Sequence, residues 1–112
     1  MHAIRLRHPW KSEILPDGLL RYVRKFHRPT GLGDESVTLN LQCVDSVSCS
    51  EIRLNGSPLT DSAGNSLRLE VTSELLPFNT LQCEFALASS PDPTQAPSFD
   101  QLARAQLEIQ QS

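Results

Sequence analysis

The feature that most constrains this chain is a repeated alternation of apolar and polar residues in short runs. In the clearest run, the apolar residues Val37, Leu39, Leu41 and Cys43 alternate with polar ones. Because successive side chains of a β-strand point to opposite faces, this period of two predicts a strand with one buried face. Further runs of this kind occupy residues 3–7, 20–27, 52–54, 66–71 and 80–87. Together with the alternating residues at 103–109, these six runs predict about seven short strands.

Turn residues separate these runs. Residues 15–18 read Leu-Pro-Asp-Gly, with Pro at the second position and Gly at the fourth, which is typical of a β-turn. Asn55-Gly56 follows the run that ends at Leu54, and both residues tolerate the positive φ that a two-residue type I′ turn requires. Short strands joined by tight turns predict an all-β fold, specifically an antiparallel β-sandwich.

One short segment between two of the runs favours a helical turn. Thr72 can cap this turn, and Pro77 can end it. Leu75 and Leu76 are then expected to anchor the turn to the core.

The C-terminal part of the chain contains a loop and an ambiguous segment. Residues 88–100 hold three prolines and several small polar residues, so they predict a flexible loop. Ser98 can cap a helix that carries Phe99 and Leu102. The apolar residues at positions 103, 105, 107 and 109 keep the period of two of a strand. Periodicity therefore leaves both structures open here.

Charge is unevenly distributed along the chain. Residues 1–28 contain seven basic and two acidic residues and carry about +5, whereas the whole chain carries −3. Such a segment can bind phosphate or nucleic acid. The pI near 5.5 favours the alternative, in which basic strands face acidic strands within one sheet. A nucleic-acid partner is therefore not expected.

The cysteines and the hydropathy pattern bear on location. Cys43, Cys49 and Cys83 are odd in number and lack metal-ligand spacing, so they predict reduced thiols in a reducing compartment. Core packing is expected for Cys43 and Cys83, and a bridge between these two is the alternative. Since no signal peptide or run of ~20 apolar residues is present, we expect a cytoplasmic protein without a membrane partner.

No catalytic or metal site stands out in the sequence. His2, His8 and His27 have no ligand spacing to one another or to a cysteine. The stretch from Ser48 to Ser50 lacks the strand–turn–helix context of a nucleophile elbow. We therefore expect a chain that is not an enzyme and that holds no metal and no cofactor.

Several motifs, in order, resemble those of a known family. Residues 22–29, Tyr-Val-Arg-Lys-Phe-His-Arg-Pro, resemble the Tyr-Arg-Arg-x-Phe-x-x-Pro strand of the sugar-binding domain of glycoside hydrolase family 2. Six further motifs of the family have counterparts in the same order. They are the opening strand with Pro-Trp (residues 4–10), the Leu-x-Leu strand (39–46) and the strand end Leu-Asn-Gly (52–56). The Val-Thr-x-x-Leu turn (71–76), the Asn-x-Leu-x-Cys strand (79–85) and the closing strand (105–110) follow. The resemblance spans nearly the whole chain.

The resemblance implies a galactose-binding-domain-like jelly roll over residues 1–112, and it favours a strand at the C-terminus. In this family the catalytic carboxylates lie in a separate barrel domain. The resemblance therefore implies a non-catalytic binding module whose ligand is a carbohydrate. The alternative is a protein-interaction or assembly module that has lost sugar binding, with a homodimer through an edge strand as one form.

Two residues are candidates for ligand contact. Trp10, the only tryptophan, can stack on a sugar ring if its own ring is exposed, or it can cover the core as the family's Pro-Trp pair does. Asn55 can contact a ligand from its turn, although the Leu-Asn-Gly motif of the family is largely architectural. Tyr22 and Phe26 share one face of a strand and are expected in the core.

Overall fold

The computed structural model describes residues 2–7, 9–29, 33–45, 47–59, 65–87 and 97–110. Within these ranges the strands are β1 (His2–Arg5), β2 (Lys11–Ile14), β3 (Leu20–His27), β4 (Ser36–Cys43), β5 (Val47–Leu54), β6 (Ser57–Pro58), β7 (Ser66–Glu70), β8 (Phe78–Leu87) and β9 (Ala103–Gln110). The helical elements are a 3₁₀ helix, Thr72–Glu74, and α1 (Phe99–Leu102). None of the helices in these ranges has the length and apolar character needed to cross a membrane.

The strands form two antiparallel sheets, which confirms the predicted β-sandwich. One sheet has the strand order β1-β9-β4-β7, and the other has the order β2-β3-β8-β5-β6. Most strands that follow one another in the chain lie in opposite sheets, so the chain crosses repeatedly between the two layers, as in a jelly roll. Each layer can therefore bury only one face.

The alternation in the sequence determines which side chains meet between the sheets. In β4, Val37, Leu39 and Leu41 are at most 2% exposed, and Phe85 of β8 is fully buried. The side chain of Leu87, which was also expected to point inward, lies outside what the structure describes. Burial of such side chains contributes about 25 cal/mol per Å² of apolar surface, so this interlayer core is the main source of stability.

An aromatic cluster centred on Phe99 joins the C-terminal segment to the sandwich. Phe99 is 1% exposed and stacks on Trp10, with ring centroids 3.8 Å apart and an angle of 8° between the planes. Its ring also meets those of Tyr22 and Phe85, each at a centroid distance of 5.8 Å. The Tyr22 hydroxyl donates to the Pro97 carbonyl, and burial raises the pKa of Tyr22 to about 12. The chain from Pro97 onward therefore folds back onto the sandwich.

The C-terminal segment contains both of the structures that periodicity left open. The backbone N–H of Ser98 donates to Oε1 of Gln101 at 2.9 Å, which is one half of a capping box and starts α1. At Ala103 the backbone becomes extended, and β9 begins. β9 then lies between β1 and β4, which confirms the closing strand. Of the predicted flexible loop at 88–100, residues 88–96 lie outside the described residues.

One strand was not predicted. β2 pairs with β3 at an edge of its sheet. Its sequence shows no apolar alternation, because Ile14 is the only apolar residue among its four and the other three are exposed. An edge strand of this kind is specified by its backbone pairing more than by a buried face.

The turn between β7 and β8 differs from the expectation in two respects. The N-cap residue is Val71, and the Thr72 side chain makes no capping hydrogen bond. Instead, Oγ1 of Thr72 accepts a hydrogen bond from the N–H of Val37 at 2.8 Å, which ties the turn to β4. Leu75 packs against the core as expected, but Leu76 is 52% exposed and does not anchor the turn.

Arg21 pairs with acidic side chains of the neighbouring strands, as expected, whereas the acidic partner of Arg5 lies in α1 and not in a sheet. Arg21 lies 3.7 Å from Glu13 and 3.4 Å from Glu84, and these residues come from three adjacent strands of one sheet. Arg5 lies 3.5 Å from Asp100. Part of the N-terminal positive charge is therefore neutralised within the fold.

All three cysteines are free, so the alternative bridge between Cys43 and Cys83 is not formed. Cys83 is fully buried, and Cys49 is 1% exposed. Burial raises the pKa of Cys49 to about 11 and also raises the pKa of Cys83. Both thiols therefore stay protonated and unreactive at neutral pH.

We expect Phe99→Ala to lower the free energy of unfolding by about 3–5 kcal/mol, because it removes a buried ring with three aromatic neighbours. Urea denaturation followed by Trp10 fluorescence measures this loss. Phe78→Ala is the matched control, since Phe78 is 71% exposed and its removal should cost less than about 0.5 kcal/mol. Similar losses for the two variants would contradict the central position of Phe99.

Candidate functional site

Trp10 lies at the margin of the core, and its contacts are largely internal. Its ring is half-buried, and one face is covered by Phe99. Its indole Nε1 donates a hydrogen bond to the Leu6 carbonyl at 3.1 Å. These contacts support the core-covering role for Trp10, and stacking of a sugar on its other face stays a prediction.

Asn55 occupies the first central position of the predicted two-residue turn. Leu54 and Ser57 pair directly across this turn. The φ angle is 55° at Asn55 and 85° at Gly56, as a type I′ turn requires. Because asparagine and glycine adopt positive φ more readily than other residues, this turn explains the Asn-Gly sequence.

The side chain of Asn55 links the turn to the start of β8. Its Oδ1 accepts a hydrogen bond from the N–H of Thr80 at 2.9 Å. Its Nδ2 donates to Oδ1 of Asn79 at 3.0 Å and to the Glu74 carbonyl at 3.3 Å. Both ends of the amide are therefore engaged within the chain. This geometry supports the architectural role of Asn55, and direct ligand contact by Asn55 stays a prediction.

Asn79 completes the linkage from a buried position, being only 2% exposed. Its Oδ1 also accepts a hydrogen bond from the N–H of Leu76 at 2.9 Å, and its Nδ2 donates to the Leu76 carbonyl at 2.8 Å. An amide buried without partners costs about 1–3 kcal/mol per unsatisfied group, so these bonds make the interior position tenable. Asn55 and Asn79 are called the asparagine pair below.

A surface cleft of about 350 Å³, which Asn79 of the asparagine pair helps to line, lies at the adjoining ends of β3 and β8. Its lining residues are Lys25, Phe26, His27, Phe78, Asn79 and Thr80. Lys25 lies opposite Thr80 in the sheet, and His27 lies opposite Phe78. Because strand side chains alternate, these two cross-strand pairs lie on the outer face of the five-stranded sheet. We call this site the Phe78 cleft.

Phe78 is the most unusual residue of the cleft. It is 71% exposed, and its ring lies 4.7 Å from that of His27 with an angle of 58° between the planes. Exposed aromatic rings in concave surfaces are typical of ligand and partner sites. Sequence reasoning did not single out Phe78. The signal available there was a phenylalanine at a polar-face position of the β8 alternation.

The electrostatics of the Phe78 cleft are set by Lys25, which is exposed. No aspartate or glutamate is among the described residues that line the cleft. The cleft therefore carries positive charge. Across the described ranges, no group of three or more His, Cys, Asp or Glu residues is placed to hold a metal ion.

A second, smaller cleft of about 80 Å³ lies on the outer face of the four-stranded sheet. Its lining residues are Asn40, Gln42, Arg104 and Gln106. Next to it, Glu108 is 4% exposed and accepts hydrogen bonds from Asn40 at 3.2 Å and Gln106 at 2.9 Å. Arg68 lies 2.6 Å from the same carboxylate. Since ligand sites usually exceed about 300 Å³, we regard this network as structural.

Comparisons with known proteins bear on the fold. None of the protein families compared matches the sequence, and none of the curated proteins does. A solved structure that matches is an FMN-binding beta-glucuronidase from Facaelibacterium prausnitzii, with a TM-score of 0.65 and 14% sequence identity. The match covers 95% of this chain and 22% of that chain. The chain therefore spans less than a quarter of that protein, and the similarity shows a shared fold.

Two substitutions at Asn55 separate the contribution of its positive-φ backbone from that of its hydrogen-bonded side chain. Asn55→Gly keeps the positive φ accessible but removes the amide, so we expect a loss of about 1–3 kcal/mol in the free energy of unfolding. Asn55→Ala should lose about 1 kcal/mol more, because alanine is strained in the left-handed region. Urea denaturation measures both losses, with Asn65→Ala as a control at an exposed asparagine. Wild-type stability in Asn55→Gly would contradict the linkage.

Hydrogen bonds from Asn40 and Gln106, together with Arg68, lower the pKa of Glu108. A carboxylate with a lowered pKa in the folded state stabilises the fold at neutral pH. That stabilisation is lost as the pH falls below the ordinary value of about 4.3. Glu108→Gln cannot titrate, so its stability should fall less between pH 6 and pH 3 than that of the wild type. Chemical denaturation at both pH values measures this, with Glu70→Gln, an exposed site, as the control.

Proposed function

We propose that this chain is a non-catalytic binding module that takes a carbohydrate in the Phe78 cleft. The observation that carries the proposal is the 71% exposed ring of Phe78 in a cleft of about 350 Å³. A pyranose presents an apolar C–H face, which suits an aromatic platform, and a rim of hydroxyl groups, which suits polar neighbours. Lys25 and Thr80 supply such neighbours on the same face of the sheet.

The form of the cleft supports a binding role at Phe78 in preference to Trp10. Phe78 is exposed and needs no internal contact, whereas Trp10 is committed on one face to Phe99 and through its N–H to Leu6. The hydrogen bonds of the asparagine pair hold the backbone on both sides of Phe78 in place before a ligand arrives. A preformed site binds with a smaller loss of conformational entropy.

The shared fold with part of a β-glucuronidase, and the ordered motifs around residues 22–29 and 52–56, support a relationship to the sugar-binding domain of glycoside hydrolase family 2. In that family hydrolysis belongs to a different domain. Glycosidases use a pair of carboxylates, and none is among the described residues that line the Phe78 cleft. These observations support binding without catalysis. A cytoplasmic location is part of the proposal, and the three free thiols support it.

A second candidate function is contact with another protein. Leu76, at 52% exposure, and Phe78, at 71%, flank the exposed Pro77 and form an apolar run on the surface. Apolar runs of this kind also occur in protein interfaces. The edge strands β1 and β7 offer a further route to a homodimer.

A thermal-shift screen against neutral and acidic monosaccharides at ~10 mM tests the proposal. A sugar with a dissociation constant near ~1 mM should stabilise the fold by about 1.4 kcal/mol, which is a rise of about 5 °C for a domain of this size. We expect Phe78→Ala to lose the shift and Trp10→Phe to keep it. If Trp10→Phe loses the shift and Phe78→Ala keeps it, the sugar binds at Trp10 instead.

The same variants distinguish the second candidate. If no sugar shifts the melting temperature, carbohydrate binding at the Phe78 cleft is wrong. Sedimentation of the wild type and of Leu76→Ser then decides between a monomer and a dimer held by the apolar run. A dimer that dissociates in Leu76→Ser would establish the assembly role.

A further inference from the structure

We infer that the Phe78 cleft selects sugars that carry an anionic group, namely a carboxylate, sulfate or phosphate. This inference rests on the proposed function, since it names the class of carbohydrate that the same site takes. It depends on where the register of β3 and β8 places Lys25 relative to Phe78.

The register places a cation one diagonal step from the aromatic platform. Lys25 pairs with Thr80, and His27 pairs with Phe78, so these side chains form a two-by-two block on one face. Directly opposed Cβ atoms in such a block are about 5 Å apart, and diagonal neighbours are about 7–8 Å apart. A ring stacked on Phe78 can therefore place a substituent within reach of the flexible Lys25 side chain.

Glu84, the one acidic residue within β3 and β8, is already paired and lies far along the sheet from Lys25. Glu84 lies opposite Arg21 and 3.4 Å from its guanidinium. Arg21 precedes Lys25 by four residues, which is about 13 Å along a strand. That distance exceeds the Debye length of about 8 Å at physiological ionic strength. Lys25 therefore acts at the cleft as a positive charge that Glu84 does not neutralise.

Phe78 and Lys25 then recognise different parts of the sugar. Phe78 contacts the apolar face of the sugar, which neutral and acidic sugars share. Lys25 interacts with the anionic group, which only the acidic sugars have, through a charge-assisted hydrogen bond. Because Lys25 is exposed, we expect a preference on the order of five-fold, near the upper limit for exposed ion pairs. The preference should shrink as salt is added.

Titration calorimetry with matched pairs of sugars tests this division at constant ionic strength. Glucuronate is compared with glucose, and galacturonate with galactose, because each pair shares a ring and differs in charge. Glucose 6-phosphate and glucose 6-sulfate then identify which anion is preferred. In the wild type we expect the acidic member of at least one pair to bind about five times more tightly than the neutral one.

Two lysine variants isolate the charge. Lys25→Gln should bind the acidic and neutral members of each pair with equal affinity, because glutamine carries no charge. Lys11→Gln removes an exposed lysine from the edge strand of the same sheet and should retain the preference. Equal binding of acidic and neutral sugars by the wild type, or a preference that survives Lys25→Gln, would overturn the inference and leave carbohydrate binding intact. Absence of binding to any sugar would overturn both.

Discussion

The hydrogen bonds of the asparagine pair are the interaction on which the backbone of the candidate site depends. Asn55 adopts the left-handed backbone of the turn while its side chain reaches β8. Asn79 holds that side chain from the interior, with Oδ1 shared between Asn55 and Leu76. One pair of amides thus fixes the β5–β6 turn, the turn before β8 and the first residues of β8. Loss of either amide leaves buried polar groups unpaired, which is why the pair acts as a unit.

The Phe78 cleft is a consequence of this arrangement. Hydrogen bonds from the Asn79 side chain to the Leu76 carbonyl, and from the Thr80 N–H to the Asn55 side chain, set the backbone path on both sides of Phe78. The β8 alternation then places the Phe78 ring on the outer face, next to His27. A strand end that is held from inside can expose an aromatic ring without needing that ring for its own packing. Stability and recognition are therefore carried by different side chains of the same short segment.

Much of the fold was predictable from the sequence because period-two alternation and turn chemistry act locally. The predictions of the inward face of β4 and of the turn at Asn55 were both correct for that reason. The exposure of Leu76 was missed because the helical turn ends at Glu74, two residues earlier than expected, and leaves Leu76 outside it. β2 was missed because an edge strand needs only one buried residue, and the segment 97–110 needed tertiary contacts to separate a capped turn from a strand. For the site, the sequence indicated Trp10 and Asn55. Neither is among the described lining residues of the Phe78 cleft, although Asn55 is hydrogen-bonded to Asn79 and Thr80, which are.

The most direct test of the account is a ¹⁵N–¹H correlation spectrum of the wild type recorded during titration with glucuronate and galacturonate. We expect the largest shift changes at the amides of His27, Phe78 and Thr80, with little change at the indole N–H of Trp10. That pattern would place the ligand on the outer face at the ends of β3 and β8. Changes concentrated at Trp10, or an unchanged spectrum at ~10 mM sugar, would contradict the assignment of the Phe78 cleft as a carbohydrate site.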